Sequence, residues 1–370
     1  MADVKIKKPT GPSGCPAETP AGSAAGTQQS PVRRALRPRN VASFLLALAV
    51  LYLVYQELLG LDWREPWTTV RGASAGLFAL AFAVFYCSYP LRALRWRVLL
   101  ANAGYGRGYT SGDGRPIPSI FGLTRIMYLA WFANCITVAR LGEAYRAYLL
   151  KRAAGVSFAV TLGTVLAERV LDLAVLAAMM GAGVLAVSFL LPSGSSSLPP
   201  EVLWALAVGL ILSSVAVAGL LAMRSLRGAV EWALPKRLHG FYARLEHGVV
   251  GSIRGELALL VDLSAAGWAI EVAALYGVAE AVGAPVPVAG ALMVALAASL
   301  LLTVPFTPGG LGFTEAGMVV LLQWLGLDLA TAGAVTLLFR LINYWSIVVL
   351  GSVLYVSFRD QRRLAESRKE

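Results

Sequence analysis

The chain has 370 residues, 57% hydrophobic and only 14% charged, against roughly 45–50% and 25% in an average soluble domain. This balance excludes a soluble globular enzyme. Because the apolar residues recur in blocks from about Val41 to Phe358, it also excludes a single-pass receptor with one segment of about 20 residues.

Residues 1–40 are rich in Pro, Gly, Ser, Ala and Thr with scattered Lys and Arg. That composition cannot bury enough apolar surface to offset the entropy of ordering, so a disordered basic tail is expected. A cleaved signal peptide fits less well, since about 40 residues precede the first apolar block and no short charged region abuts it. Apolar blocks follow at about 41–59, 72–99, 117–138, 156–190, 202–223, 257–282, 287–304, 313–326 and 330–357. All but the marginal 313–326 are long enough to span about 30 Å at 1.5 Å per residue. The expected architecture is therefore an all-α polytopic membrane protein with about 7–9 membrane segments. Its domains would be the tail 1–40, a membrane domain 41–358 and a basic tail 359–370.

The net charge of +11 is concentrated: 27 of the 32 Lys and Arg fall in five clusters, at 1–40, 92–115, 140–152, 224–254 and after Phe358. The intervening loops near 61–71, 191–201, 283–287 and 326–329 hold only Arg64 and Arg71. The positive-inside rule places the clusters, and with them both termini, in the cytoplasm of a cell (plasma) membrane protein. Anionic lipid, and not nucleic acid, is the counterpart that this distribution implies. On this count residues 116–152 must enter the membrane and return on the same side, which calls for a re-entrant hairpin or two weakly apolar passes. In the second half, Pro305-Phe306-Thr307-Pro308-Gly309-Gly310-Leu311-Gly312 cannot stay helical, because proline lacks a donor and glycine carries an entropic cost. Broken helices at membrane depth are tolerated only where they are buried in protein or line a wet cavity, so this break points to a site.

The two halves are related. Glu143, in Arg140-Leu141-Gly142-Glu143, precedes Arg169 by 26 residues, and Glu315, in Gly312-Phe313-Thr314-Glu315, precedes Arg340 by 25. With the helix of Arg169 running outward and that of Arg340 inward, this is the pattern of an inverted repeat.

Several charged residues lie where charge is expensive. Arg140, Glu143 and Arg146 recur at three-residue spacing on one helical face; they fit either a solvated cytoplasmic helix or a re-entrant helix whose guanidinium groups meet a lipid phosphate. Glu168, Arg169 and Asp172 sit well inside an apolar block, where each charge costs about 2.5–3.5 kcal/mol at the bilayer centre. Arg169 and Asp172 could neutralise each other, or all three could line a headgroup path. Glu315 after the glycine-rich break, and Arg340 with Asn343 and Tyr344, pose the same choice. Glu271 is deep enough to carry a proton, whereas Glu280 reads as interfacial. Arg92, Arg95 and Arg97 read as topology determinants at a span end. Trp63, Trp67, Trp204, Trp324 and Trp345 read as interfacial or packing aromatics.

Three cysteines (Cys15, Cys87, Cys135) and two histidines (His239, His247) cannot build a disulfide framework or a zinc centre. No phosphate-binding loop, metalloprotease, hydrolase or dinucleotide motif occurs. No cofactor and no metal are therefore expected, and no ATP-driven step is visible in the chain.

The stretches Arg140-Leu141-Gly142-Glu143-x-x-Arg146, Glu168-Arg169-x-x-Asp172, Pro305-x-Thr307-Pro308-Gly309-Gly310-Leu311-Gly312-x-x-Glu315 and the late Arg340 resemble the transmembrane region of lysylphosphatidylglycerol synthases and their stand-alone relatives, over roughly residues 41–357. The resemblance implies a flippase-like domain with two re-entrant elements around a central cavity, and phospholipids or polyprenyl-phosphate-linked sugars as substrates. By this resemblance Arg140, Glu143, Arg146, Glu168, Arg169, Asp172, Glu315 and Arg340 would line the headgroup path; Pro308, Gly309, Gly310 and Gly312 of the break, and Asn343 and Tyr344 beside Arg340, complete the expected substrate-binding set. Two-part members add a soluble aminoacyl-transferase domain; here about 12 residues follow the last span, so aminoacyl-lipid synthesis is not expected of this chain.

The expectation is thus a non-enzymatic lipid translocase, working alone, as a homo-oligomer or beside a lipid-modifying enzyme. The competing reading is a membrane-embedded transferase or phosphatase using Glu143, Glu168 or Glu315 as a general base. A non-catalytic scaffold is the third reading, and charges inside the membrane argue against it.

Overall fold

The computed structural model describes residues 64–367 apart from 107, 113, 138–140, 191–206, 208–210, 212–213, 216, 220–221, 224 and 304–307. The expected tail 1–40, the first span at 41–59, most of the span at 202–223, Trp63, Trp204 and Arg140 lie outside the described residues.

The described chain is helical, with one isolated β-bridge between Thr110 and Pro116. Its main helices are α1 (Arg64–Gly72), α2 (Ala75–Asn102), α3 (Ile120–Ile136), α4 (Gly142–Ala154), α5 (Phe158–Leu190), α6 (Arg227–Ala233) and α7 (Lys236–Ile253). They are followed by α8 (Leu257–Val282), α9 (Val288–Thr303), α10 (Phe313–Trp324), α11 (Leu329–Arg340) and α12 (Ser346–Ser367). Among the described residues, Ala75–Asn102, Leu257–Val282 and Leu329–Ser357 are long and apolar enough to cross a membrane, and Ile120–Ile136 and Val288–Leu302 are shorter apolar helices. This is an all-α membrane protein.

Local chemistry sets the ends. The Ser119 hydroxyl accepts from Gly122 N (3.3 Å) at the start of α3, and Asp328 accepts from Thr331 N (3.0 Å) at the start of α11. Each side chain satisfies one of the orphan donors of a first turn. α4 and α8 stop at Gly155 and Gly283, both in the left-handed conformation that a Cβ disfavours.

α2 and α8 form the central packed pair, with α5 alongside, and α3 folds back on α4. Asn134 of α3 accepts from Gly142 N at 2.8 Å, and a Cβ on Gly142 would lie 2.0 Å from Ala130 O. Only glycine lets the two arms approach this closely.

The second interruption follows α9. Gly309, Gly310 and Gly312 have φ of +58°, +67° and +84° around a 3₁₀ turn at Pro308–Gly310, so the break forms where proline and glycine place it. A further irregularity, not anticipated, is a π-helical turn at Leu341–Trp345 directly after Arg340. Such turns recur at functional sites because they re-aim side chains within a continuous helix.

Candidate functional site

α5 presents its charges in two directions. Glu168 and Asp172, four apart, share the face turned to α2. There Arg95 spans both: Nη2 donates to Glu168 (2.7 Å) and Asp172 (3.0 Å), and Nη1 to Asp172 and to Ser264 (2.6 Å). Arg146 of α4 pairs with the other oxygen of Glu168 at 2.7 Å and lies 3.7 Å over the ring of Trp96. The planar guanidinium fork fits both duties, bidentate contact with carboxylates and stacking on an aromatic face.

Arg169 points elsewhere, to Glu143 in the first turn of α4 (2.7 Å). The Glu143 carboxylate also accepts from Asn134 (3.3 Å), whose carbonyl holds Gly142 N, so the first helix break and the Glu–Arg pair are one assembly.

The second half repeats this construction. Arg340 Nε donates to Glu315 at 2.6 Å and Nη2 to the Gly309 carbonyl at 3.0 Å, while Glu315 accepts from Gly312 N at 2.8 Å to cap α10. The broken segment is therefore pinned by the arginine that its own helix carries partway across the membrane. Asn343 and Tyr344 are brought to Arg340 by the π-turn: the Tyr344 ring lies 4.8 Å from the guanidinium, and its hydroxyl donates to Cys135 O at the end of α3 (3.3 Å). That last bond ties the two breaks together.

Between them lies a cavity of about 300 Å³. Asn134, Glu143, Arg169, Asp172, Glu271, Ser299, Arg340 and Asn343 supply its polar wall; Phe85, Trp131, Leu173, Leu176, Trp268 and Leu302 supply the apolar one. Such a wall, ionic on one side and hydrocarbon-like on the other, suits an amphiphile. The described ion pairs of this interior join five arginines (92, 95, 146, 169, 340) to five carboxylates (143, 168, 172, 271, 315). The balance lets ten charged side chains sit in one membrane interior, since buried charges are tolerated when each has a partner.

Of the expected path residues, Glu143, Arg169, Asp172, Gly309, Gly310, Arg340, Asn343 and Tyr344 are brought together on the wall. Arg146, Glu168, Gly312 and Glu315 stand behind it as partners of wall residues or of their helices. The backbone of Pro308 opens the 3₁₀ turn.

Two expectations are corrected. Arg92 and Arg95 are not simple topology determinants: they are 5% and 1% exposed and paired inside the bundle, Arg92 with Glu271 at 2.6 Å. Arg169 and Asp172 do not neutralise each other; each has a partner on another helix. Glu271, expected to be deep, also accepts from Ser299 (3.2 Å).

Asn134, Trp131 and Trp268 were not anticipated. The two indoles flank Arg92 at 5.7 and 5.1 Å, and Trp131 also lies 6.0 Å from Arg169. The Arg92-x-x-Arg95-Trp96 spacing was a usable signal, since both arginines share a face inside a helix. Among the described residues, no group of three or more His, Cys, Asp or Glu side chains is placed to hold a metal.

Fold and site together define a polytopic membrane protein with an ion-paired amphiphilic cavity between two broken helices. The chain belongs to the lysylphosphatidylglycerol synthase TM region family, whose model matches residues 40–351. It is 32% identical over 227 residues to a UPF0104 membrane protein of Methanocaldococcus jannaschii, covering 60% of this chain and 93% of that protein. A UPF0104 membrane protein of Methanothermobacter thermautotrophicus is 24% identical over 335 residues, covering 84% of this chain and 91% of the relative. Glycosyltransferase AglD of Haloferax volcanii is 26% identical over 314 residues, 76% of this chain; the match spans 48% of AglD, about half its length.

Proposed function

We propose that the chain is a lipid translocase that carries a phosphate-bearing headgroup, of a phospholipid or a polyprenyl-phosphate-linked sugar, through the central cavity. The observation that carries this reading is the meeting of both helix breaks at a cavity bearing Arg169 and Arg340 beside an apolar wall. A charged headgroup crossing hydrocarbon unaided loses its hydration, and preplaced guanidinium groups replace that water. The headgroup phosphate engages the Arg169 fork as Glu143 releases it, while the acyl or prenyl chain stays against Leu173, Leu176 and Leu302. Alternating access comes from movement of the two repeats against each other around the fixed site.

The same reading puts the membrane domain at 41–358 in the plasma membrane with both termini cytoplasmic, and makes the membrane lipid the chain's main partner, with a second copy or a lipid-modifying enzyme as protein partner. In liposomes reconstituted with the protein, a fluorescent phospholipid should exchange between leaflets, and Arg169→Ala should abolish the exchange at equal protein density.

One observation favours a second reading: a relative named glycosyltransferase AglD matches over most of this chain, and Glu143 and Asp172 on the cavity wall are carboxylates of the kind that serve as general bases. Mass spectrometry of the lipids after incubation separates the two. Unaltered, redistributed lipid supports translocation; a covalently changed headgroup supports the transferase or phosphatase.

A further inference from the structure

A second cavity, of about 350 Å³, lies apart from the central one, where the C-terminal end of α2 meets α6 and α7. Its wall includes Asn102, Arg227, Glu246, His247, Gly251 and Arg254. Its volume falls within the range of small-molecule sites, roughly 300–1,000 Å³. All but Asn102 belong to the basic segment that the charge distribution assigns to the cytoplasm.

Glu246 is 7% exposed, and its Oε2 is buried without a hydrogen-bond partner. Among the described residues its cationic partner, Arg227 Nε, is 3.7 Å away and donates instead to Glu231 at 2.9 Å. A buried carboxylate oxygen left in this state calls for a donor that is absent from the protein around it. Among the described residues Arg254, at the C-cap of α7, has no carboxylate partner. The wall thus offers two guanidinium forks and an imidazole for an anion, and one buried acceptor for a hydroxyl.

We propose that this cavity binds a phosphate ester carrying a neighbouring hydroxyl, the chemistry of a glycerophosphate, with the phosphate on Arg227 and Arg254 and the hydroxyl donating to Glu246. Guanidinium forks match phosphate oxygens in bidentate fashion, and the hydroxyl completes the carboxylate. The ligand comes either from a soluble phosphorylated metabolite or from the headgroup of a glycerophospholipid.

The wall of this cavity packs closely on the helix that carries Arg169. α7 lies backbone to backbone on α5: a Cβ on Gly163 would sit 2.3 Å from Leu245 O, and one on Gly248 would sit 2.2 Å from Val160 O. Small residues at such a crossing leave no compliant layer between helices. The binding claim does not rest on the translocase reading and stands or falls separately from it.

The test is calorimetric titration of the full chain in detergent with inorganic phosphate, glycerol 3-phosphate and dioctanoyl phosphatidylglycerol, with monodispersity and thermal midpoint of each variant checked first. Glycerol 3-phosphate or the short-chain lipid should bind about tenfold or more tighter than inorganic phosphate, since a hydrogen bond to a charged group is at stake. Arg254→Gln, a substitution at an exposed position, should weaken binding about tenfold. Glu246→Ala, which removes the acceptor, should remove the advantage over inorganic phosphate.

Binding of glycerol 3-phosphate identifies a soluble source, and binding of the lipid alone identifies a headgroup. No heat from either probe at millimolar concentration, or binding indifferent to Arg254→Gln, overturns the site. Equal binding of glycerol 3-phosphate, the short-chain lipid and inorganic phosphate overturns the role of Glu246.

Discussion

The two Glu–Arg pairs, one at each helix break, have the same sequence spacing and similar lengths, 2.7 Å for Glu143–Arg169 and 2.6 Å for Glu315–Arg340. Their surroundings differ. The Arg340 side chain is 3% exposed and is also held by the Gly309 carbonyl and the Tyr344 ring. Arg169 is 34% exposed and turns its guanidinium towards the cavity, paired with Glu143 and 6.0 Å from the Trp131 ring. The two positions thus differ in kind: Arg340 is a lock that fixes the broken segment, and Arg169 is an accessible cation. In our reading the second half holds the cavity's shape and the first half captures the headgroup.

The largest effect should come from breaking the lock. Arg340→Ala leaves Glu315 largely buried without its cation, and removing one partner of a buried pair costs about 3–5 kcal/mol. The thermal midpoint in detergent should fall sharply, and Arg340→Ala with Glu315→Gln should recover much of the loss. If the double variant is no more stable than the single one, Arg340 is not a lock on Glu315.

A subtler change should affect the first pair alone. Arg169→Lys keeps the charge but loses the planar fork, so lipid exchange should drop about tenfold while stability stays near wild type. Exchange at the wild-type rate would show that a point charge suffices there.

The smallest effect should lie outside both pairs. Asp328 caps α11, and Asp328→Ala should cost about 1 kcal/mol of stability with lipid exchange preserved. The Thr331 N–H holds the Asp328 carboxyl below its ordinary range. The stability it contributes is therefore fully present above the unfolded carboxylate pKa of about 4 and is lost as pH falls through the depressed folded value. A melting series from pH 6 down to pH 3 should show the variant's deficit shrinking.

Much of the helical plan was readable because its signals are local. The apolar block 257–282 and α8 coincide since Gly283 ends the run, and the break before Phe313 appears where three glycines and a proline cluster. The pairing scheme was legible only in part. Glu143 with Arg169, and Glu315 with Arg340, could be suspected from their repeated spacing. Nothing local shows that Asp172 faces Arg95 of α2 and not Arg169 three residues away, because that choice is made by how α2 and α5 rotate against each other.

Arg92 and Arg95 were hidden for another reason. Near a span end an arginine satisfies the topology rule whether it faces water or a carboxylate, so composition alone cannot separate the two. The π-turn that delivers Asn343 and Tyr344 has no sequence signal of its own.

Lipid exchange by Arg169→Ala in reconstituted liposomes, read beside its thermal midpoint, tests headgroup transport through this cavity most directly. We predict exchange reduced to the protein-free rate with a midpoint within a few degrees of wild type, since the side chain is partly open to the cavity and its removal leaves a carboxylate that Asn134 still holds. Exchange undiminished by the substitution, in protein shown to be folded, would contradict the assignment of this cavity to headgroup transport.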